Sequence, residues 1–515
     1  MAVAQSPRFD VVSQTLARNR LGVPSVVFFV LAAAAPLTVV AGGATTGWSV
    51  TGVIGIPIAY LAVGTVLAVF SFGYTAMSRK IVNAGAFYSY IAQGLGRIPG
   101  VGAAFLALYS YNLMQIGLFG GFGAVAADQI GSWFGVHVAW WVCAFVALGV
   151  VGVLGVLRVD INGRVLAVLL VSEIVIAVVY GVVDLLHPAA GHVSVAALDP
   201  ARLLDNGIGA GYATAIAGFV GFEATAVYAE ETKDPRRTVP RATFIALMII
   251  GLLYGFTSWA MSVAAGVDKV VSAAQSTGTE LMFSLVSPYM AAVWLDIGHA
   301  LFITSLFAGL LAFHNTVARY AFALGRERVL PGWLGTTGRH NNAPKWGSIC
   351  QTVLAAVVLT VYAVLKLDPI VYLFFWWTTL GGIGVLVLMV ATSIAVVVFF
   401  ARRAHRAGVG AWSRVVAPVL AVATLGYVLW ISIDQIHVLL GTAPGSRWNL
   451  AWPLSFVAFA VAGILWAAVI RLRSPQTYAT IGLGANSAVA AVPEQRPAAV
   501  TATAAARGVP WGREF

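Results

Sequence analysis

Twelve apolar runs, most of them close to 20 residues or longer, follow one another along the chain with short polar joints between them. About 20 apolar residues in a helix span the roughly 30 Å hydrocarbon core of a bilayer, and lipid cannot hydrogen-bond backbone left outside a helix or closed barrel. A transmembrane barrel would instead read as short alternating segments. The chain is therefore expected to be an all-α integral membrane protein. Its spans are placed at about 23–47, 50–77, 101–126, 138–157, 165–186, 208–229, 243–267, 290–324, 347–365, 370–400, 415–433 and 450–470. The apolar run after Arg18 and Arg20 imitates a secretory signal, but it continues too far and has too many successors, so it reads as a retained first helix.

Charge sets the orientation. The formal net charge is +11, yet Lys and Arg sit in the joints and do not gather on one surface, so they describe topology rather than a nucleic-acid partner. With both termini in the cytoplasm, only Arg202, Lys269, Lys366 and Arg447 of the 30 Lys and Arg fall outside. Residues 1–20 form a cytoplasmic lead, 21–473 the membrane domain, and 474–515, rich in Ala, Pro and Val, a disordered cytoplasmic tail. Cys143 and Cys350 lie far apart and read as packing residues, with no disulfide framework, metal site or cofactor implied. No HExxH string or paired Cys and His supports an intramembrane enzyme.

Residues 218–240, GFVGFEATAVYAEETKDPRRTVP, concentrate the chemistry. Glu223 is an acid inside an apolar span, which is costly in lipid and marks either a functional site or an interhelical hydrogen bond. Gly218 and Gly221 permit non-helical backbone beside it. Five spans earlier, AAAAPLTVVAGG carries Pro36, which removes an amide and clashes with the preceding turn. Breaks at corresponding positions of two halves point to a transporter site near the midplane, where exposed amides and carbonyls hold a carboxylate and an ammonium together. Simple kinks and small-residue contacts are the plainer explanation for either break alone.

The string GFVGFEATAVYAEETKDPRRTVPRAT, with ARYAFALGRERVLPGWLG at 318–335 and NAGAFYSYIAQGLGRIPG before the third span, resembles the amino acid-polyamine-organocation permeases over about residues 21–400. The resemblance implies a leucine-transporter-like fold: inverted repeats of five helices (about 21–187 and 206–401), two extra helices (about 415–473), and alternating-access transport. It implies a secondary active importer of an amino acid or small organic amine, with an exchanger or polyamine carrier as the alternative. A channel or a substrate-sensing receptor with the same broken helices is the reading from another class. Its substrate site would comprise Ala33, Ala34, Ala35, Pro36, Leu37 and Thr38 with Gly218, Phe219, Val220, Gly221 and Phe222. Where many members carry Gly-Ser-Gly in the first helix, this chain has Pro36-Leu37-Thr38.

Glu223 and Glu173 are the expected coupling or helix-bracing acids, Glu173 standing where proton-coupled relatives often place a lysine. Leu311 and Ala312 occupy the positions where sodium-coupled relatives carry hydroxyls, which favours protons, while Thr304 and Ser305 leave hydroxyls for sodium. Phe374, Phe375, Trp376 and Trp377 are candidate occluding aromatics. Glu230, Glu231, Lys233, Asp234, Arg236 and Arg237 would form a cytoplasmic gate network with Arg319 or Arg326, although surface solvation also explains those charges. Tyr109, Asn112 and Gln115 recur at helical spacing and fit either a cavity wall or an interhelical face. His299 and His314 read as packed, hydrogen-bonded residues before proton shuttles. The 81–96 segment reads as amphipathic and lying at the inner membrane surface. The partners are thus a small-molecule substrate, a proton or sodium, and the lipid bilayer of the cytoplasmic membrane.

Overall fold

The structure is a computed structural model that describes residues 21–156, 163–338, 343–402 and 405–484. Among these, helices carry nearly all the regular structure, and the only strand-like feature is a single parallel bridge between Leu21 and Thr232. Eleven helical stretches are long and apolar enough to cross a membrane. The first is interrupted: α1 (Val23–Ala34), a π-helical stretch Thr38–Ala44, then α2 (Thr45–Thr51). Next come α3 (Ile56–Ser78), the short α4 (Ala86–Gly94), α5 (Arg97–Phe134), α6 (Trp140–Val156) and α7 (Gly163–Leu186). The sixth expected span is again interrupted, as α8 (Ile208–Phe219) and α9 (Ala224–Val227).

Beyond it lie α10 (Pro235–Ala265), two short helices α11 (Val270–Thr277) and α12 (Leu281–Val286) in the acid-bearing joint, and α13 (Ala292–Arg326). Then follow α14 (Lys345–Val364), a π-helical stretch Pro369–Phe375 that runs into α15 (Trp376–Ala401), α16 (Ala417–Asp434), the short α17 (Ile436–Leu439) and α18 (Arg447–Arg473). The fourth apolar run of the sequence, about 138–157, corresponds to α6, 17 residues long and at the lower limit for crossing a bilayer.

Helix α5 is the axis of the bundle. It spans 38 residues and packs against α4, α6, α13, α15 and α18. Its spanning window is far more buried than that of α18, whose outward residues Leu454, Val457 and Leu465 are exposed and apolar, as a lipid-facing helix requires. Inside-out burial of this kind follows from the bilayer: apolar residues gain nothing from leaving lipid, so small residues and polar contacts organise the interior.

Two sequence expectations change here. The 81–96 segment does not lie on the surface: in α4 every residue except Gln93 is buried, and the helix is wedged between α5 and α15. Tyr88 and Tyr90 give it a polar period that imitates an interfacial face, but Tyr88 bonds to a carboxylate and Tyr90 packs on Tyr74 at 5.3 Å. The tail, expected to be disordered from Ser474, begins as a helix, α19 (Pro475–Thr480), with Pro475 at its first position and the chain described to Gly484. Residues 1–20 and 485–515, and Arg158 beside α6, lie outside the described residues.

A buried α4 sets an expectation for hydrogen exchange. In detergent micelles the amides of residues 86–94 should exchange as slowly as those of mid-α5, whereas a helix lying on the surface would exchange much faster along its exposed face.

Candidate functional site

The two interrupted helices meet at their breaks. Helix α1 stops at Ala34 because Ala35 turns left-handed (φ 43°) and Pro36 supplies no amide. Helix α8 stops at Phe219: Val220 is extended (ψ 131°) and Gly221 has φ 119°, a conformation open in practice to glycine. A Cβ on Gly221 would come within 2.9 Å of the Ala33 Cβ, so the two breaks abut with no room for a side chain between them.

Polar groups freed by the breaks are met by side chains from neighbouring helices. Glu223, 1% exposed, accepts the Gly221 amide at 2.9 Å on one carboxylate oxygen and the Tyr111 hydroxyl at 2.6 Å on the other. Its own carbonyl accepts the Tyr74 hydroxyl at 2.8 Å. Tyr254 of α10 donates to the Ala34 carbonyl at 2.9 Å, and the Thr38 amide donates to the Ser305 hydroxyl of α13 at 3.3 Å. Glu173 on α7, 2% exposed, faces that Ser305 hydroxyl and the Leu37 backbone, and its Oε2 has no hydrogen-bond partner among the described residues.

Beside the breaks lies a cavity of about 50 Å³. From the first break it is lined by Ala33, Ala34, Ala35 and Thr38, from the second by Gly218 and Val220, and from α5 by Met114 and Leu118. Phe313, Phe374 and Phe375 supply the aromatic walls. Among the described residues no Asp, Glu, Lys, Arg or His lines it. Two polar atoms of its lining residues, Thr38 Oγ1 and the Tyr60 hydroxyl, are buried without a hydrogen-bond partner among the described residues. Each hydroxyl keeps a donor and acceptor capacity that a bound molecule could use.

The residues named from the sequence therefore divide. Pro36, Leu37, Phe219, Gly221 and Phe222 are at the breaks but not in the cavity wall. Phe219 packs on Tyr60 and Tyr254, and Phe222 on Phe70 and Tyr74. Trp376 and Trp377 turn away: Trp376 packs on Tyr372 at 4.9 Å and Trp377 on Tyr362 at 5.8 Å. Successive residues of a helix point about 100° apart, so four aromatics in a row cannot share one wall. Tyr109, Asn112 and Gln115 are not in this cavity either. Tyr109 donates to Ser455 at 2.9 Å, Asn112 to the Leu108 carbonyl at 2.6 Å, and Gln115 accepts from Gln351 at 2.9 Å. His299 meets Glu280 and His314 meets Ser348, at 2.8 and 2.7 Å.

At the end of the bundle expected from the sequence to face the cytoplasm, the charged loop resolves into two buried ion pairs and a solvated remainder. The Arg319 guanidinium donates to Glu231 at 2.8 Å and stands 4.6 Å from the Tyr228 ring centre. Arg326 donates through both terminal nitrogens to Glu230, at 3.0 and 2.8 Å. Arg237 and Asp234, 3.8 Å apart, stay exposed. The buried pairs lie where solvent screening is weak, and removing one partner would strand a charge.

Sequence reasoning missed two kinds of residue. Tyr60, Tyr74, Tyr111 and Tyr254 reach the breaks from three other helices, and nothing local marks them. Asp184, in the same apolar run as Glu173, was legible: it is 2% exposed and both its oxygens lack partners among the described residues. Eleven residues separate the two acids, which puts them on one face of α7 about three turns apart.

Comparison with known proteins gives concordant matches. A family model described as amino acid permease matches residues 21–467. A low-affinity putrescine importer, PlaP, from Escherichia coli (strain K12) is 24% identical over 399 residues, covering 75% of this chain and 82% of its own. The branched-chain amino acid permease BcaP of Lactococcus lactis subsp. cremoris is 23% identical, covering 59% of this chain and 68% of its own. The vacuolar cationic amino acid transporter 4 of Arabidopsis thaliana is 29% identical over 38% of this chain and 30% of its own.

Tyr111→Phe leaves one Glu223 oxygen buried without its donor. The variant should lose about 1–3 kcal/mol of stability, read as a lower melting midpoint in detergent. Gly221→Ala, which adds positive-φ strain to a clash with Ala33, should abolish uptake even where protein is recovered from the membrane.

Proposed function

Since the chain belongs to the amino acid permease family, we propose that it is a secondary active importer of an amino acid with a small apolar side chain, working by alternating access and coupled to protons. It is a multi-pass membrane permease and not an enzyme, and amino acids and amines are the cargo class its relatives carry. The observation that carries the finer reading is the cavity: apolar walls, no ionised side chain, and two broken helices beside it. A putrescine-like dication would need acids to meet both of its charges, and Glu223 is already committed to Gly221 and Tyr111. A zwitterion needs one anionic and one cationic contact, which main-chain dipoles at helix ends supply. The relation to a branched-chain amino acid permease agrees with this choice.

Each part then has a role. Backbone around Ala33–Thr38 and Gly218–Gly221 holds the carboxylate and ammonium groups, Thr38 Oγ1 and Tyr60 add hydrogen bonds, and Met114, Leu118 and Phe313 set side-chain volume. Phe374 and Phe375 close the site on the side of the extracellular joints. Arg319–Glu231 and Arg326–Glu230 close the cytoplasmic side. The two broken helices and their partner helices form the matching halves of an inverted-repeat fold.

Glu223 braces the second break. Glu173 exchanges the coupling proton: its carboxyl sits against the first break, so movement of that helix changes its hydration and its hold on a proton. Protons are favoured over sodium because Leu311 and Ala312 bring no side-chain oxygen to the positions where sodium-coupled relatives carry hydroxyls.

Radiolabelled uptake into proteoliposomes, screened over amino acids and amines under imposed proton or sodium gradients, tests both substrate and coupling. Small aliphatic amino acids should be accumulated when the outside is acid, and counterflow should separate a carrier from a channel or receptor. Glu173→Gln should keep counterflow but lose the dependence of uptake on the proton gradient; an unchanged pH dependence would remove Glu173 from coupling. Tyr60→Phe, which deletes one substrate hydrogen bond, should weaken substrate binding by about tenfold.

A further inference from the structure

After α18 the chain doubles back under the cytoplasmic end of the bundle, past the last residue matched to the family. Residues 481–484 end in an unusual contact. Glu327, the residue after α13, is 1% exposed and no Lys, Arg or His pairs with it among the described residues. Its neighbour Arg326 is committed to Glu230. The Glu327 carboxylate is met instead by neutral donors. The Gly482 amide donates to Oε2 at 2.6 Å and the Gly484 amide to Oε1 at 2.7 Å. Asn83 Nδ2 donates at 3.2 Å, and the Tyr88 hydroxyl donates to Oε2.

Gly482 and Gly484 both have positive φ, 81° and 61°, which turns their two amides toward a single anion. Backbone amides converging in this way form an anion-binding concavity, and hydrogen bonds to a charged acceptor are the strong kind. Secondary contacts hold the segment in place. Gln93 donates to the Gly482 carbonyl at 3.0 Å, Arg97 donates to the Ala479 carbonyl at 2.8 Å, and Ile481 is 1% exposed.

The residues beside this contact hold the cytoplasmic ion pair. Asn83 precedes Ala84, whose amide donates to Glu230 at 3.0 Å; Glu327 follows Arg326, which holds the same Glu230. Two of the groups that grip Glu230 thus have chain neighbours that bind the tail. We propose that Glu327, Asn83 and Tyr88 form a binding site for the amides of Gly482 and Gly484, and that the tail, docked there, acts as a clasp that keeps the cytoplasmic side closed. Undocking frees the turn at Asn83–Ala84 and the end of α13, loosens the grip on Glu230 and speeds opening to the cytoplasm. The regulatory half of the inference rests on the reading of Arg326–Glu230 as a gate; the binding half does not.

The test uses the full chain with both native cysteines replaced and a cysteine at Phe313 as a reporter of access to the cavity. Labelling by an impermeant maleimide in inside-out vesicles reads cytoplasmic opening, and hydrogen exchange of residues 475–484 reads docking. Gly482→Ala with Gly484→Ala puts side chains at positive φ, with new Cβ atoms 2.9 Å from the Ala92 Cβ and 2.8 Å from the Asn83 side chain. This pair, and separately Glu327→Gln, should remove tail protection and raise the labelling rate by about tenfold, the loss of one net hydrogen bond to a charged group. Fast exchange of the tail in the parent protein overturns the site. Lost protection with unchanged labelling overturns the clasp while leaving the site. Labelling unaffected by Glu230→Gln overturns the gate reading, and retained tail protection in that variant still upholds the binding site.

Discussion

Lipid accepts no hydrogen bonds, so every backbone group that leaves a helix inside the membrane must find its partner within the protein. The two breaks exist on that condition. Glu223 is the residue that meets it most economically: one carboxylate takes the Gly221 amide and ties it to α5 through Tyr111, while its own carbonyl is held by Tyr74 of α3. Tyr254 and Ser305 do the same for the first break from α10 and α13. Each interruption is thereby anchored to helices outside its own pair. Movement of one break relative to the other must change these contacts, which makes the tyrosines part of any conformational cycle and not bystanders of packing.

Around that core the polar groups are layered by depth. Among the described residues no ionised side chain lines the cavity, the buried acids of α7 stand apart from its lining, and the paired charges lie toward the helix ends and joints: Arg319–Glu231 and Arg326–Glu230 toward the end of α13, His299–Glu280 toward its start, and Arg202–Asp205 in the joint before α8. Such layering follows the cost of desolvation: neutral hydroxyls and main-chain dipoles are affordable deep in the protein, single carboxylates only with donors or a proton, and full ion pairs nearest to water.

Legibility of the sequence followed the range of the interactions. Span positions rest on local hydropathy and the breaks on Pro36, Gly218 and Gly221, so all were readable. Glu223, Glu230, Glu231, Arg319 and Arg326 were visible because charge is scarce in such a chain, and their pairing was foreseen in outline. Partners drawn from other helices were not, since a tyrosine in an apolar run looks alike whether it faces lipid or a carbonyl. The α4 segment misled for a related reason. Its polar residues face other helices, and hydropathy cannot separate a protein-buried polar face from one turned to water. Asp184 lies near the end of its apolar run, where an acid in the sequence looks the same whether it meets water or is buried. The tail was judged on overall composition, which a ten-residue stretch with its own proline cap and two glycines escapes.

The absence of ionised side chains from the cavity bears on how a protein of this kind can diverge. A site that recognised its ligand through an aspartate or arginine could be switched to another charge type by one substitution. In the proposed site polar recognition falls to main-chain groups, which no point mutation exchanges, and to the Thr38 and Tyr60 hydroxyls. Variation is left to the volumes of Ala33, Met114, Leu118 and Phe313. Related chains built on this plan would be expected to differ first in the size of the side chain they admit, and only with rebuilding of a helix break in the charge of what they carry.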